Sequence, residues 1–282
     1  MTAKLKRPVL RYHGGKWLLA PWIISHFPPH RIYTEVFGGG GSVLMRKRRS
    51  YAEVYNDKWD TVVNVFRVLR DPDLAGELER QLRLTPFSRV EFEATGDLHL
   101  VEITNEIEKA RRTIFRSFAG FGSAATNAAH ATGFRSNSNR SGTTPAQDWV
   151  NYPDYIAAFT ERLAGVVIEN RHYSEVLTQH DTLETLHYVD PPYVHDTRNI
   201  DRGNAAYAHE MTDEDHRDLA GVLQDLKGMV ILSGYDCELY QDLFGDWKKI
   251  KREALADGAS KRVECLWMNA QAWAGQAQLT MF

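Results

Sequence analysis

Cysteine is scarce in this chain: Cys237 and Cys265 are the two thiols in 282 residues. Neither sits in a paired spacing, which excludes a zinc knuckle or a redox dithiol built from them, and both read as reduced structural thiols. Neither lies in a Pro-Cys setting, which argues against chemistry that starts with a cysteine nucleophile, such as attack on carbon 5 of cytosine. Long apolar runs are missing as well. A membrane span needs about 18 consecutive apolar residues, and none of that length occurs. Lys4, Lys6 and Arg7 are followed by no long apolar stretch, so a secretory signal is not expected and a cytoplasmic location is. No spacing of ligating residues calls for a metal.

An excess of positive charge is also lacking, since 34 Lys and Arg stand against 37 Asp and Glu, for a formal net charge of −3. The distribution carries more information than the sum. Between Lys109 and Gln147 there is no Asp or Glu, while Lys109, Arg111, Arg112, Arg116, Arg135 and Arg140 all fall there. A local positive field inside an acidic protein suits a polyanion, although a single charge run also serves as a solvated face. A second basic cluster runs from Arg46 to Arg49. A hydrophobic content of 43% is enough for a core of one large domain, or of one domain and a sizeable insertion.

What is present begins with strands and helices in alternation. Arg31 to Phe37 is a β-rich run ending in Gly38-Gly39-Gly40-Gly41, and a helix is predicted to start at Ser42. Tyr51 to Tyr55 reads as a short strand stopping at Asn56-Asp57. Trp59, Val62, Val63, Phe66 and Leu69 then recur at helical spacing until Asp71-Pro72. This βαβα rhythm implies a parallel sheet. From Pro72 to about Phe118 the pattern is mainly helical, and Gly120 to Trp149, rich in small residues, reads as a long loop.

Alternation then resumes, with strands at Val166 to Glu169, Leu186 to Val189 and Met229 to Leu232. Thr212 and Asp215 form a capping box for a helix that runs toward Gly228. Val263 to Met268 suggests an antiparallel or edge addition. The reading is an α/β sheet at 1–72 and 160–282, interrupted by an inserted, mainly helical domain at 73–159.

Three clusters carry chemistry. A strand with Glu35 near its end, then Phe37 and the glycine run, lets backbone approach a nucleotide-like ligand, although a plain flexible turn has the same composition. Asp57, at the end of the next strand, suits the two hydroxyls of a ribose or, equally, the cap of the helix behind it. Asp190-Pro191-Pro192-Tyr193 is sharper. Two prolines stiffen the backbone and remove two donors, so the Asp190 carboxylate and the Pro191 carbonyl act as pure acceptors, matched to an amine with two hydrogens. Accepting both hydrogens of adenine's amine favours a pyramidal nitrogen and frees its lone pair for an electrophilic methyl group. Tyr193 offers a face on which a flipped base stacks.

Taken in order, Arg11-Tyr12-His13-Gly14-Gly15-Lys16, Glu35-Val36-Phe37-Gly38-Gly39-Gly40-Gly41-Ser42, Asn56-Asp57 and Asp190-Pro191-Pro192-Tyr193 resemble the Dam-like adenine-N6 DNA methyltransferases over nearly the whole chain. The resemblance implies a Rossmann-like S-adenosyl-L-methionine-dependent methyltransferase sheet with an inserted target-recognition domain. It implies Tyr12 and Lys16 packed on the cofactor, Glu35, Phe37, Gly38 and Gly40 around its methionine part, and Asp57 on its ribose. Alone, Tyr12 and Lys16 fit a packed aromatic and a solvated lysine equally well. Asp190, Pro191, Pro192 and Tyr193 are the implied catalytic motif.

The family usually carries an Asp for the cofactor's adenine amine where this chain has His172, a residue that also suits a plain surface position. Arg116, Arg135 and Arg140 are the expected contacts to double-stranded DNA, and a restriction endonuclease partner fits such an enzyme. Methylation of RNA adenine or protein glutamine, and a non-catalytic DNA-binding relative, are the alternatives the residues leave open.

Overall fold

The computed structural model describes residues 5–96, 103–121, 132–137, 139, 142–194, 209–255 and 261–279. In chain order the elements are α1 (Ala20–Ile24), β1 (Ile32–Glu35), α2 (Ser42–Arg46), β2 (Ala52–Asn56), α3 (Asp60–Arg70), α4 (Pro72–Leu84), α5 (Arg89–Ala94), α6 (Glu106–Ala119), α7 (Pro145–Val150) and α8 (Ile156–Leu163). They continue with β3 (Val166–Glu169), α9 (Tyr173–His180), β4 (Thr185–Val189), α10 (Asp213–Gln224), β5 (Met229–Tyr235), α11 (Glu238–Phe244), β6 (Lys248–Leu255), β7 (Lys261–Met268) and α12 (Ala270–Leu279).

Among the described residues seven strands form one sheet in the order β3-β2-β1-β4-β5-β7-β6. The first five are parallel, and β7 and β6 join as an antiparallel pair. β4 is buried along its whole length, as a central strand covered on both faces must be. Alternate strand residues feed two cores. Tyr33, Tyr55, Leu186, Tyr188 and Ile231 pack toward α3, and Val54, Val189, Val230 and Leu232 pack toward α10 and α11. The described helices between Pro72 and Leu163 share the first of these cores through Leu78, Leu82, Ile114, Phe115, Trp149 and Phe159.

The segment leading to Tyr12 is fastened to that helical layer. The Arg7 guanidinium lies 4.8 Å from the Phe118 ring centroid and 4.7 Å from that of Tyr152. Tyr152 donates its hydroxyl to the Val9 carbonyl at 2.7 Å. Below it, Glu53 on β2 accepts from Lys47 Nζ at 2.6 Å and from both Arg162 terminal nitrogens at 2.7 and 3.0 Å, all three side chains buried. Burial alone raises the Glu53 carboxyl, but hydrogen bonds from Arg162 and the charge on Lys47 outweigh it and hold the group below its usual range. The network ties α2, β2 and α8 into one block.

Two features depart from the sequence reading. β7 is antiparallel, but β6 covers it and takes the edge. β6 escapes a pattern search because Lys248, Lys249, Lys251, Arg252 and Glu253 interrupt its alternation, as charges on an edge strand do. The stretch read as a loop from Gly120 to Trp149 ends in α7, capped by Thr144, whose hydroxyl accepts from the Gln147 amide; residues 122–131, 138, 140 and 141 lie outside the described residues.

Removing Glu53 strands two buried cations. Glu53→Ala is expected to lower unfolding free energy by about 3–5 kcal/mol, read as a shift in the urea midpoint with an unchanged denaturant slope.

Candidate active site

β1 leads to β2 and then β3 on one side, and β4 leads to β5 on the other, so strand order reverses between β1 and β4. Ligands bind outside the carboxyl ends of strands at such a point. Here those ends carry Glu35, Asp57 and Asp190, and a cavity of about 300 Å³ opens between them. Tyr12, Lys16, Glu35 and Phe37 line it on the β1 side. Gly38, Gly40, Asp57 and His172 complete the lining expected of a cofactor site, and Asp190 and Pro192 close the far end.

Backbone geometry explains the glycines. Gly14 has φ +71°, and the Gly15 amide donates to the Tyr12 carbonyl at 3.1 Å, a tight turn that throws Lys16 inward. At Gly38 a Cβ would meet the Tyr55 ring at 2.2 Å. Gly39 has φ +46°, donates its amide to Asp57 Oδ2 at 2.8 Å, and accepts from the Tyr55 hydroxyl at 2.7 Å. The loop is therefore a cradle held from below by Tyr55 and from the side by Asp57.

Asp57 Oδ1 accepts from the Trp59 amide at 2.8 Å. These amides, with that of Lys58, do not exhaust the acceptor capacity of the carboxylate, so Asp57 serves both the loop and the helix start without excluding a ligand. Burial raises its carboxyl, and the amides of Trp59 and Gly39 pull it back. Glu35 Oε2 accepts from the Tyr33 hydroxyl at 2.7 Å and the Leu44 amide at 2.8 Å. Its burial pushes the carboxyl up to about 8, so a cation placed beside it would be needed to ionise it fully at neutral pH.

At the far end Asp190 Oδ1 lies 3.0 Å from Lys16 Nζ. Burial raises the Asp190 carboxyl, and the Lys16 charge opposes the rise. Tyr193 is only 6% exposed. Its hydroxyl donates to Glu264 Oε2 at 2.9 Å and is 3.0 Å from Ser233 Oγ, and Tyr235 meets its ring edge-on at 4.5 Å between centroids. The face expected to receive a base carries the Lys16 ammonium, 4.6 Å from the ring centroid.

His172 stands exposed at the rim after β3, its Nδ1 2.7 Å from Ser174 Oγ. Asn56 holds that segment in place, donating to the Val36 carbonyl at 2.9 Å and accepting from the Arg171 amide at 2.9 Å. Of the arginines expected on DNA, Arg116 is 6% exposed with its guanidinium 4.9 Å from the Phe92 ring centroid, so it packs α6 on α5 instead of presenting charge. Arg135 is half-buried and donates to the Phe118 carbonyl at 3.1 Å. Arg140 lies outside the described residues. Ser233 and Glu264 clamp Tyr193. They lie in two segments, Ser233-Gly234-Tyr235-Asp236 after a core strand and the closing strand Arg262 to Asn269, that the sequence offers as shaping the target pocket or as plain structure, without joining one to the other. Their signal in the sequence is confined to their place in two strands, Met229–Tyr235 and Lys261–Met268, that reading along the chain does not bring together. Among the described residues no cluster of His, Cys, Asp and Glu is arranged to hold a metal, and no helix is long and apolar enough to cross a membrane.

A mixed sheet whose parallel strands end in a glycine cradle, two buried acids and an Asp-Pro-Pro-Tyr corner defines the Rossmann-like methyltransferase class. Within it, a family model for D12 class N6 adenine-specific DNA methyltransferase matches residues 12–257, and the chain belongs to that family. It is a DNA adenine methyltransferase, which sets it apart from the RNA, glutamine and non-catalytic alternatives. A search of curated proteins found no match.

A carboxyl that is raised on folding keeps its proton in the folded state over a window where the unfolded chain has lost it. For Glu35 that window runs from its ordinary value of 4.5 to about 8, so stability falls as pH rises through it. The ligand-free protein should lose melting temperature across this range, and Glu35→Gln should flatten the decline; equal slopes in both proteins would remove Glu35 as its cause.

Proposed function

We propose that the enzyme moves a methyl group from S-adenosyl-L-methionine to N6 of an adenine flipped out of double-stranded DNA. The observation that carries this reading is the placing of Asp190 at one end of the cavity whose other walls are the glycine cradle, Glu35 and Asp57. The donor set suits the cofactor. Glu35 matches its ammonium, the spare lone pairs of Asp57 match its ribose hydroxyls, and Tyr12 and Phe37 supply apolar surface. His172 stands at the rim with one imidazole nitrogen to offer its adenine. Bound there, the cofactor supplies a methyl group on a sulfonium, electrophilic enough that no covalent enzyme intermediate is required.

The protein's part is then positioning and charge. Asp190 and the Pro191 carbonyl accept the two hydrogens of the target amine, hold it in one orientation and expose its lone pair. Pro192 stiffens the corner. Asp190 also lies nearest to take the proton that the product nitrogen must lose, and burial makes it a better acceptor than an exposed aspartate. Tyr193, fixed through its hydroxyl to Glu264 and Ser233, forms the floor beneath the base.

We assign target recognition to the region 73–159, with Arg135 and Arg140 on phosphates or base edges. Arg116 has a packing role, because bringing its buried guanidinium to DNA would unstack it from Phe92.

Sequencing of DNA from cells that express the enzyme should reveal N6-methyladenine in one sequence context. Asp190→Ala should lose transfer by about 100- to 1,000-fold while calorimetry shows cofactor affinity nearly unchanged; near-normal methylation by the variant would defeat the role given to Asp190. Joint replacement of Arg135 and Arg140 by alanine should weaken DNA binding and flatten its dependence on salt. An unchanged salt slope would remove these two residues from the interface.

A further inference from the structure

Lys16 is expected, by resemblance, to pack on the cofactor, yet its ammonium makes the contacts that the proposed mechanism gives to the target base. It lies 3.0 Å from Asp190 Oδ1 and 4.6 Å from the centroid of the Tyr193 ring. It also donates to the Gly14 carbonyl at 2.8 Å, across the turn that aims it inward. With its side chain 5% exposed, it is buried in the corner instead of reaching for solvent. An amine within 3.0 Å of Asp190 Oδ1, above the face of Tyr193, occupies the place a captured adenine's amine would take.

We propose that Lys16 is a resident substitute for the target amine: it fills the target subsite while no base is bound and is displaced when the flipped adenine arrives. The inference rests on Asp190 being the acceptor for that adenine. Its physical basis is the cost of an unbalanced acidic pocket. Glu35, Asp190 and Glu264 are buried close enough that Asp190 raises Glu35 and Glu264 raises Asp190. A buried carboxylate left without a counter-charge is strongly unfavourable, so in the empty subsite Asp190 takes either a proton or a cation beside it, and the Lys16 ammonium at 3.0 Å supplies the cation. A lysine meets that need and can still leave, because its ammonium is a point charge on a flexible four-carbon stem with no planar fork to hold it. The glycine turn keeps the base of that stem beside the subsite, so the ammonium returns once the methylated base withdraws.

Lys16 therefore competes with DNA for one site, and removing its amine should favour base capture. The test uses the full-length enzyme and a duplex carrying 2-aminopurine at the methylated adenine, without a methyl donor. Lys16→Met should raise the fluorescence of the extrahelical base and lower the KM for DNA by about tenfold, the size of one ordinary pairwise coupling, without raising kcat. In an Asp190→Asn background the same change should add little, because the contact it removes is already weakened. A second measurement needs no Lys16 variant: Lys16 should resist an amine-acylating reagent in the wild-type protein and react about tenfold faster in Asp190→Asn, read by peptide mass spectrometry.

Wild-type fluorescence and KM in Lys16→Met would overturn the proposal, as would equal effects in both backgrounds or unchanged acylation. A loss of cofactor affinity with base capture unaltered would return Lys16 to the cofactor and likewise overturn it. Loss of methylation in Asp190→Ala with cofactor binding intact supports the reading on which this rests, so a failure of Lys16 to behave as described is separable from a failure of that reading.

Discussion

Parallel pairing of β1 with β4, Ile32 against Thr185 through Glu35 against Tyr188, is the contact from which the active site follows. It joins two segments about 150 residues apart and sets the chain's reversal point between them. Glu35 and the glycine cradle then lie on one lip of the cavity and Asp190 on the other. The pairing is held by burial on both faces: tyrosines of β1, β2 and β4 pack toward α3, and valines of β2, β4 and β5 pack toward α10 and α11. A shift of one residue in this register would turn Glu35 and Tyr188 to the opposite face of the sheet.

The electrostatics of the cavity follow from the same burial. Asp57, Glu35 and Asp190 each have a raised carboxyl, and in each the principal cause is removal from water. The three are offset differently. Asp57 has backbone amides, Glu35 has a tyrosine hydroxyl and an amide, and Asp190 has the Lys16 ammonium. The amides belong to the backbone and stay. The lysine is a side chain and can move, which makes the Asp190 corner the part of the cavity best suited to exchange one amine for another.

The architecture around this corner gives each piece a task. The Lys47–Glu53–Arg162 network anchors the loop behind α2 to α8, and the stack of Arg7 on Phe118 and Tyr152 anchors the segment that carries Tyr12 and Lys16. Tyr193, in the Asp-Pro-Pro-Tyr corner, is itself held by Ser233 on β5 and Glu264 on β7. The antiparallel pair at the sheet's end thus reaches the Asp-Pro-Pro-Tyr corner through Glu264.

Much was legible along the chain because the relevant signals are local. Strand-ending glycines, an acid two residues past the β2 hydrophobics and two consecutive prolines after β4 are all visible within a few residues. The capping box at Thr212 and the strand at Val166–Glu169 formed where the pattern placed them. The edge strand β6 was hidden because its surface charges erase the alternation on which strand reading depends. Arg116 carries its charge openly in the sequence, but its side chain is buried against Phe92, a placement that charge and spacing do not reveal. Pairs distant in sequence were the larger loss. That Lys16 would settle on Asp190 and Tyr193, and that Glu264 would fasten Tyr193, depends on which strands become neighbours. The sequence by itself therefore determined the chemical groups and the turns that expose them, since these depend on residue type and short spacing. Tertiary structure alone decided which groups share the cavity and which amine lies on Asp190, because partners are chosen by packing and burial across the sheet.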